Sequence, residues 1–419
     1  MSDFAELLLQ RAEEAYLQGQ LAESEGLLRM LLGRSMREAH VTFLLGHLRL
    51  QQGDPVEAEA LLRSAVELDA AHAKAHDDLG LALAALGRKA EGREFRLRAM
   101  ELDREIARQR MGMSFQAMRQ GDYAAGWEDY ESRSLAAPDV IAQRGFAQPQ
   151  WYGETDIAGK TILLHAEQGN GDAMQFLRYV PMVGALGARV VLEIHHPLLS
   201  LAATVPGVAD LRELGHPLPH FDVHCPLMSL PLAFHTELAT IPAEIPYLTV
   251  PKERLVRWRR RLGPRQRMRV GVAWSGNPAM GDDQFRSIPL AEFRRVLDRT
   301  DCEFHVVQSE VREADKAVLL EDLPHVIDHS ALSHDFADTA ALISMLDLVI
   351  AVDTSVAHLS GAIGWPTWLL VRANADWRWQ PDRDDSPWYP TMFLFHQREP
   401  GVWQPVLDQV IQHLDERLG

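Results

Sequence analysis

The 419-residue chain has little cysteine, no excess of positive charge and no long apolar run. Its two cysteines, Cys225 and Cys302, stand far apart without the spacing of metal ligands, which favours a reducing cytoplasm. The net charge of −17 argues against a nucleic-acid partner, because neutralising phosphates requires a basic surface. The N-terminus lacks a basic start and an apolar core, so we expect neither a signal peptide nor a membrane span.

The chain is long enough for two or three domains, and its hydrophobic fraction of 47% supports packed cores. Helical patterns fill the first third of the chain, and alternating strands and helices follow after Pro138. This change of pattern predicts a helical domain at the front and α/β domains behind it.

The front of the chain repeats with a period of 34 residues. Glycines recur at this spacing, at Gly19, Gly53, Gly87 and Gly121. The amphipathic runs on either side of the two central glycines are 39–52 with 55–68 and 73–86 with 89–102. The small residues Gly46, Ala58, Ala65 and Gly80 predict close contact between paired helices. This pattern resembles the tetratricopeptide repeat over roughly residues 3–137 and predicts an α-solenoid.

A repeat array of this kind commonly holds a peptide or a partner protein on its concave face. We therefore expect a protein partner for the first domain. Two alternatives stay open, since the array could serve only to pack against the rest of the chain or to form a homo-oligomer. The sequence names no particular ligand.

Two α/β units follow the array. Apolar strands are predicted at 161–165, 189–194 and 221–225, and again at 269–274, 303–308, 348–352 and 367–371. Helices are predicted at 173–186, 252–262, 290–297, 337–346 and 356–363. Strands that alternate with helices form parallel sheets, and two such units form a cleft with ligand at the carboxyl ends of the strands. We predict domains at 1–140, 141–264 and 265–419.

The segment around Asp353 is the most informative part of the second unit. A buried strand ends at Val352, and Asp353, Thr354 and Ser355 lead into a short helix that carries His358 within one turn of its start. Free backbone N–H groups and the positive end of a helix make such a start an anion site. The alternative is an ordinary crossover in which Asp353 merely caps the helix.

Three further residues lie at predicted strand ends, namely Gly171, Asn277 and Gln308. Asp172 follows Gly171 into a helix, where it is either a general base at the cleft or a helix cap. A nicotinamide cofactor is not expected, because Gln175 and Phe176 occupy the region where a dinucleotide fingerprint needs its third glycine.

Arg286, supported by Ser275 and Asn277, is the candidate to neutralise a phosphate, with a solvated surface arginine as the alternative. Residues 382–385 contain three carboxylates that suit a divalent cation, but their Pro-rich surroundings favour a structural turn. The tryptophans at 377, 379 and 388 favour packing over stacking on a sugar or base.

Residues from about 145 to 415 resemble a GT-B glycosyltransferase, similar to bacterial heptosyltransferases. The resemblance is carried by three groups of segments, at 167–179, at 271–278 with 286–288, and at 353–362 with 376–379. It implies that Asp172 is the catalytic base and that Asp353, Thr354 and His358 hold a nucleotide-sugar diphosphate. The chain has Ser355 where those enzymes usually have glycine, and no lysine near Arg286.

The expected fold is a tetratricopeptide-repeat α-solenoid followed by two Rossmann-like domains in a GT-B arrangement. The expected function is inverting, metal-independent transfer of a sugar from a nucleotide-diphosphate sugar to a protein acceptor held by the repeats, without a further cofactor. The alternative is a non-catalytic scaffold whose α/β region docks partners or senses nucleotides. The residues expected to bind substrate are Gln168, Gly171, Gln175, Arg178, Ser275, Asn277, Arg286, Gln308, Asp353, Thr354, Ser355 and His358.

Overall fold

A computed structural model describes residues 2–33, 37–279 and 281–418. Residues 1, 34–36, 280 and 419 fall within the predicted domains but lie outside this description. None of the described helices is long and apolar enough to cross a membrane.

The first third of the chain is helical throughout. Its helices are α1 Ser2–Leu17, α2 Leu21–Leu31, α3 Glu38–Gln51, α4 Pro55–Leu68, α5 Ala73–Ala85, α6 Lys89–Leu102, α7 Arg104–Arg119, α8 Tyr123–Tyr130 and α9 Arg133–Ala136. The central helices α3 to α6 match the predicted amphipathic runs to within one residue. The predicted solenoid of paired helices is therefore confirmed.

The recurring glycines end the first helix of each pair. Gly53 and Gly87 have φ of 78° and 82°, a left-handed conformation that glycine adopts without a steric penalty. Close helix contact explains the other small residues. A Cβ on Gly80 would lie 2.6 Å from the carbonyl oxygen of Gly92 on the paired helix, so that only glycine fits there.

Two parallel sheets follow. The first has the order β3-β2-β1-β4 and the second the order β10-β9-β8-β5-β6-β7. The strands are β1 Thr161–His165, β2 Arg189–Ile194, β3 Val208–Glu213, β4 Val223–Pro226, β5 Met268–Ala273, β6 Cys302–Val306, β7 Ile327–Asp328, β8 Leu348–Val352, β9 Thr367–Val371 and β10 Met392–His396. All pairings between these strands are parallel, as two Rossmann-like domains require.

Short helices connect these strands. They are α10 Asn170–Phe176, α11 Val180–Ala185, α12 Leu199–Ala202, α13 Leu230–Ala233, α14 Lys252–Leu262, α15 Asp283–Arg286, α16 Leu290–Leu297, α17 Glu313–Glu321, α18 Phe336–Ile343, α19 Ser355–Ala362 and α20 Gln404–Leu418. The prediction of one helix at 173–186 is wrong. A 3₁₀ turn at Leu177–Tyr179 separates α10 from α11, and Pro181, which has no N–H to donate, stands in the first turn of α11.

The chain divides into two compact units, and each unit is built from two separate stretches of the sequence. One unit contains the residues up to 113 together with 129–143, and the other contains 114–128 together with the residues from 144 onward. Within the second unit, the Trp127 indole donates to the carbonyl of Thr236 at 3.0 Å and meets Trp377 edge to face at 5.1 Å. Trp377 and Trp388 are at most 1% exposed, so the predicted packing role of these tryptophans is confirmed.

We expect limited proteolysis to cut first between about residues 137 and 150, where the described chain has no helix or strand. The fragments should separate in denaturing gels yet stay together in native gels, because 114–128 belongs to the second unit. Cleavage inside residues 40–105, with 137–150 intact, would contradict the predicted boundary.

Candidate functional site

The carboxyl end of β8 forms the predicted strand, polar turn and helix. Thr354 is the N-cap of α19, with an extended φ of −143°, and the helix begins at Ser355. The interpretation of Asp353 as the cap is therefore wrong. The first N–H groups of any helix lack acceptors within the helix, and the Thr354 hydroxyl oxygen beside them is buried without a hydrogen-bond partner. This end of the helix therefore offers donors to an anion.

Asp353 is buried against charged neighbours. Burial, together with the nearby Asp376 carboxylate, raises its pKa to about 6, although Trp379, Arg378 and Arg286 act in the opposite direction. A carboxyl with this pKa changes its charge just below neutral pH, in the range where catalytic groups commonly titrate.

Arg286 connects the loop after β5 to this helix start. Its Nη1 donates to the backbone carbonyl of Asp353 at 3.2 Å, and its Nε donates to Asp283 Oδ1 at 3.1 Å. The side chain is only 16% exposed, so the alternative of a solvated surface arginine is wrong. Arg286 thus places a fixed positive charge beside the N-terminus of α19.

The other predicted residues of this half have different surroundings. The Gln308 side chain accepts from the Trp274 N–H at 3.0 Å and donates to the Ser275 hydroxyl at 3.2 Å, which braces the loop after β5. Asn277 is exposed, and its side chain accepts from the Ala279 N–H at 2.9 Å. Contact of these three residues with substrate stays a prediction.

Asp172 lies at the carboxyl edge of the first sheet, in the first turn of α10. Its Oδ2 accepts from the Gly169 N–H at 3.1 Å, so part of the predicted capping role is real. Its Oδ1 accepts from Arg378 at 2.6 Å, and a quarter of the side chain remains exposed. The carboxylate is therefore held in place while part of it stays accessible.

The Asp172 turn and the start of α19 pack directly against each other. A Cβ added to Gly171 would lie 2.8 Å from His358 Cδ2, so this glycine permits the contact. His358 Nδ1 is 2.9 Å from the Tyr389 hydroxyl, and the ring edge that carries Nε2 faces Gly171. Burial, together with the charges of Arg378 and Arg178, holds the pKa of His358 well below its usual range, so the ring is neutral at pH 7.

Arg378 is a site residue that the sequence interpretation missed. Its guanidinium donates to Gln175 Oε1 at 2.5 Å, to Asp376 Oδ1 at 2.9 Å and to Asp172, and it stacks on Trp377 at 4.2 Å. An arginine between two tryptophans in a loop after a central strand was the available signal, but nothing local pointed to Asp172, 206 positions away.

Two of the three predicted residues around α10, Arg178 and Gln175, are buried and hydrogen-bonded to other parts of the chain. Arg178 is 5% exposed and donates to the carbonyls of Gln175 and Trp388 at 2.8 and 2.9 Å. Gln175 is fully buried and accepts from Arg378, while Gln168 is half-buried. These contacts are those of positioning groups, and substrate contact by these residues stays a prediction.

Among the described residues, no group of three histidine, cysteine, aspartate or glutamate side chains is arranged to hold a metal ion. Within the acidic turn at 382–385, Arg383 pairs with Asp385 at 2.6 Å, and the Asp384 carbonyl accepts from Leu394 at 2.7 Å. These contacts agree with the interpretation of the segment as a structural turn.

No protein-family model matches the chain. Protein FlbA of Caulobacter vibrioides is 26% identical over 317 residues, which cover 69% of this chain and 52% of that protein. The chain therefore spans about half the length of this curated relative.

Two solved structures resemble different parts of the chain. A glycosyl transferase family 9 protein from Veillonella parvula, 12% identical, overlaps 63% of this chain and 98% of its own with a TM-score of 0.47. MamA, 17% identical, overlaps 32% of this chain and 81% of its own with a TM-score of 0.26. The first likeness concerns the C-terminal region and the second the N-terminal part. At these identities and scores the likenesses do not establish an activity.

Proposed function

We propose that the protein is a glycosyltransferase that uses a nucleotide-diphosphate sugar as donor and works by an inverting, metal-independent reaction. The observation that carries this proposal is the contact between Gly171 and His358. It brings an accessible carboxylate, Asp172, beside a helix start equipped to hold an anion. A proton acceptor next to an anion site is the pair that sugar transfer from a diphosphate needs.

In this reaction the acceptor hydroxyl approaches the anomeric carbon on the face opposite the diphosphate. The new C–O bond forms as the bond between the anomeric carbon and the phosphate oxygen breaks, and the electron pair of that bond leaves with the diphosphate. Asp172 takes the hydroxyl proton. Attack from the opposite face inverts the anomeric centre, and the donor is the only small molecule required.

The departing diphosphate gains negative charge, which the α19 start is suited to stabilise. The backbone N–H groups of its first turn, the Thr354 hydroxyl and the Nε2 side of His358 offer hydrogen bonds. Arg286 adds a full positive charge from the loop after β5. Together these groups supply the charge that a divalent cation supplies in other transferases, so the proposal needs neither a metal nor a cofactor.

The acceptor we propose is a protein recruited by the repeats in the cytoplasm. The half-buried rings of Tyr16, His47 and His72 offer hydrogen bonds and flat faces to a peptide. The Tyr16 hydroxyl is 2.8 Å from His47 Nε2, and His47 Nδ1 is 2.6 Å from Asp78. Phe43 lies 4.6 Å from His72 between ring centroids. A homo-oligomer formed through the same surface is the competing use of these residues.

One observation favours the alternative of a non-catalytic scaffold. Asp172 is paired with Arg378 at 2.6 Å, and this ion pair occupies one of the two carboxylate oxygens that could accept the hydroxyl proton. Saturable nucleotide binding without release of any sugar would support this alternative.

A panel of nucleotide sugars tests the proposal. We expect one donor at about 100 times its dissociation constant to stabilise the fold by about 2.7 kcal/mol and to release sugar in the presence of an acceptor. Thermal melting and mass spectrometry are the measurements. Free sugars and nucleoside monophosphates are the matched control ligands, because they lack the diphosphate that α19 is proposed to hold.

The same assay decides the metal question. We expect EDTA to leave the transfer rate unchanged, because Arg286 and the α19 start supply the positive charge. If EDTA abolished transfer and Mn²⁺ restored it, metal independence would be refuted and the acidic turn at 382–385 would have to be reconsidered as a metal site.

A further inference from the structure

Asp172 is ion-paired with a cation from a distant part of the chain, Arg378. Arg378 is 6% exposed, and its guanidinium donates to Asp172, to Gln175 and to Asp376. Two of these acceptors belong to α10, and the third lies on the loop after β9. The planar fork of an arginine suits such a set of fixed acceptors, which a lysine could satisfy only in part.

The guanidinium has little freedom to move. The Arg378 N–H bonds to Asp376 Oδ1 at 3.0 Å, which fixes the backbone, and Trp377 covers the guanidinium at 4.2 Å. Its direction is therefore set before any ligand arrives, and the Asp172 oxygen that it holds is directed in turn. Preorganised groups of this kind avoid the cost of ordering them during the reaction.

We infer that Arg378 is the positioning residue that orients the Asp172 carboxylate and keeps it charged, an inference that rests on the proposed function. A buried carboxylate without a nearby cation tends to take up a proton. With the cation in place, Asp172 keeps its negative charge, and the lone pairs that remain are available for a hydroxyl proton.

The pKa directions agree with this geometry. Burial is the largest influence and leaves the pKa of Asp172 above its ordinary value; Asp376 adds to the rise and Arg378 opposes it. Two histidines lie near this turn, His195 close to Asp172 and His358 against Gly171. Burial lowers the pKa of His195, which follows β2, and His358 on α19 is neutral at pH 7. Arg178, on the turn after α10, directs its donors to backbone carbonyls and Tyr247. Arg378 is thus the cation paired with Asp172.

The test uses one variant that should raise the pKa of Asp172 and another that should lower it. Arg378→Met removes the charge, so the acid limb of the kcat/KM profile should move up by about 1–3 pH units. Asp376→Asn removes the competing carboxylate and should move the limb down. Arg378→Lys keeps a charge without the fork, so its limb should stay near that of the wild type while kcat falls. Arg383→Met, from the exposed pair with Asp385 in the same loop, is the matched control and should change nothing.

A direct titration of Asp172 separates this inference from the proposed function. The carboxyl ¹³C signal, assigned by its loss in Asp172→Asn, should titrate at higher pH in Arg378→Met than in the wild type. If Arg378→Met does not fold, Asp376→Asn decides by the same measurement, because its Asp172 signal should titrate at lower pH than in the wild type. A signal that titrates at the wild-type pH in folded Arg378→Met or Asp376→Asn overturns the inference. If the wild type showed no turnover, the proposed function would be refuted. The titration would still show whether Arg378 controls the charge of Asp172, because it does not depend on turnover.

Discussion

Replacing Asp172 with asparagine should reduce turnover by about 10²–10⁴-fold, the usual cost of losing a general base. The amide keeps the size of the side chain and an oxygen that accepts from the Gly169 N–H, so the local helix start should survive. Loss of a cap costs only about 1 kcal/mol of stability. Donor affinity should change little, because the diphosphate is proposed to bind at α19.

The measurements are kcat per folded molecule, the melting temperature and the Kd of the donor. Asp156→Asn is the matched control, since Asp156 is an exposed aspartate that accepts from a backbone N–H, that of Ala158, at 2.9 Å. If Asp172→Asn lowers only the melting temperature and leaves kcat intact, Asp172 is a helix cap and the base lies elsewhere.

Replacing His358 with phenylalanine should weaken donor binding more than it slows the chemical step. The ring volume is roughly kept, but the Nε2 side that faces Gly171 loses its hydrogen-bonding capacity. Hydrogen bonds to charged groups contribute about 1.5–3 kcal/mol, which corresponds to a rise of about 10- to 150-fold in Kd. Thr354→Val should act in the same direction, since it removes the hydroxyl at the N-cap.

Calorimetry with the donor found in the panel measures this effect. His413→Phe on α20 is the control, because that histidine bonds to the carbonyl of Gln409 in its own helix and packs among aromatic rings. An unchanged donor Kd in His358→Phe, at an unchanged melting temperature, would remove His358 from the proposed diphosphate site.

The local patterns were sufficient to predict most of the fold. Strands β1, β8 and β9 match the sequence prediction to the residue, because each is an apolar run bounded by polar residues, glycine or proline. The strand β3 at Val208–Glu213 was missed because three of its six residues are charged and all remain partly exposed. The strand β10 was missed because the Pro-rich, tryptophan-rich segment before it has no regular period.

The site was predictable only in part, for a physical reason. Asp172, Asp353 and His358 lie within strand-to-helix turns, where a short run of sequence indicates the geometry. Arg378 acts through partners on α10 about 200 positions away. A local sequence pattern does not indicate a contact between positions so far apart. Arg178 looked like a ligand group for the same reason, since its carbonyl acceptors come from the distant residues Pro242 and Trp388.

Residues 114–128 belong to the second unit, although the residues on both sides of them belong to the first. This arrangement limits where the chain can be joined to a related chain by recombination. A hybrid gene joined at residue 140 would pair a foreign Trp127 equivalent with this protein's Thr236 and Trp377. Buried aromatic contacts tolerate changes of shape poorly. The second unit of such a hybrid should therefore be less stable, although most of its sequence is unchanged. A junction before residue 114 keeps these contacts but takes the 129–143 segment away from its own repeats. We therefore expect stable hybrids to take both units from the same parent.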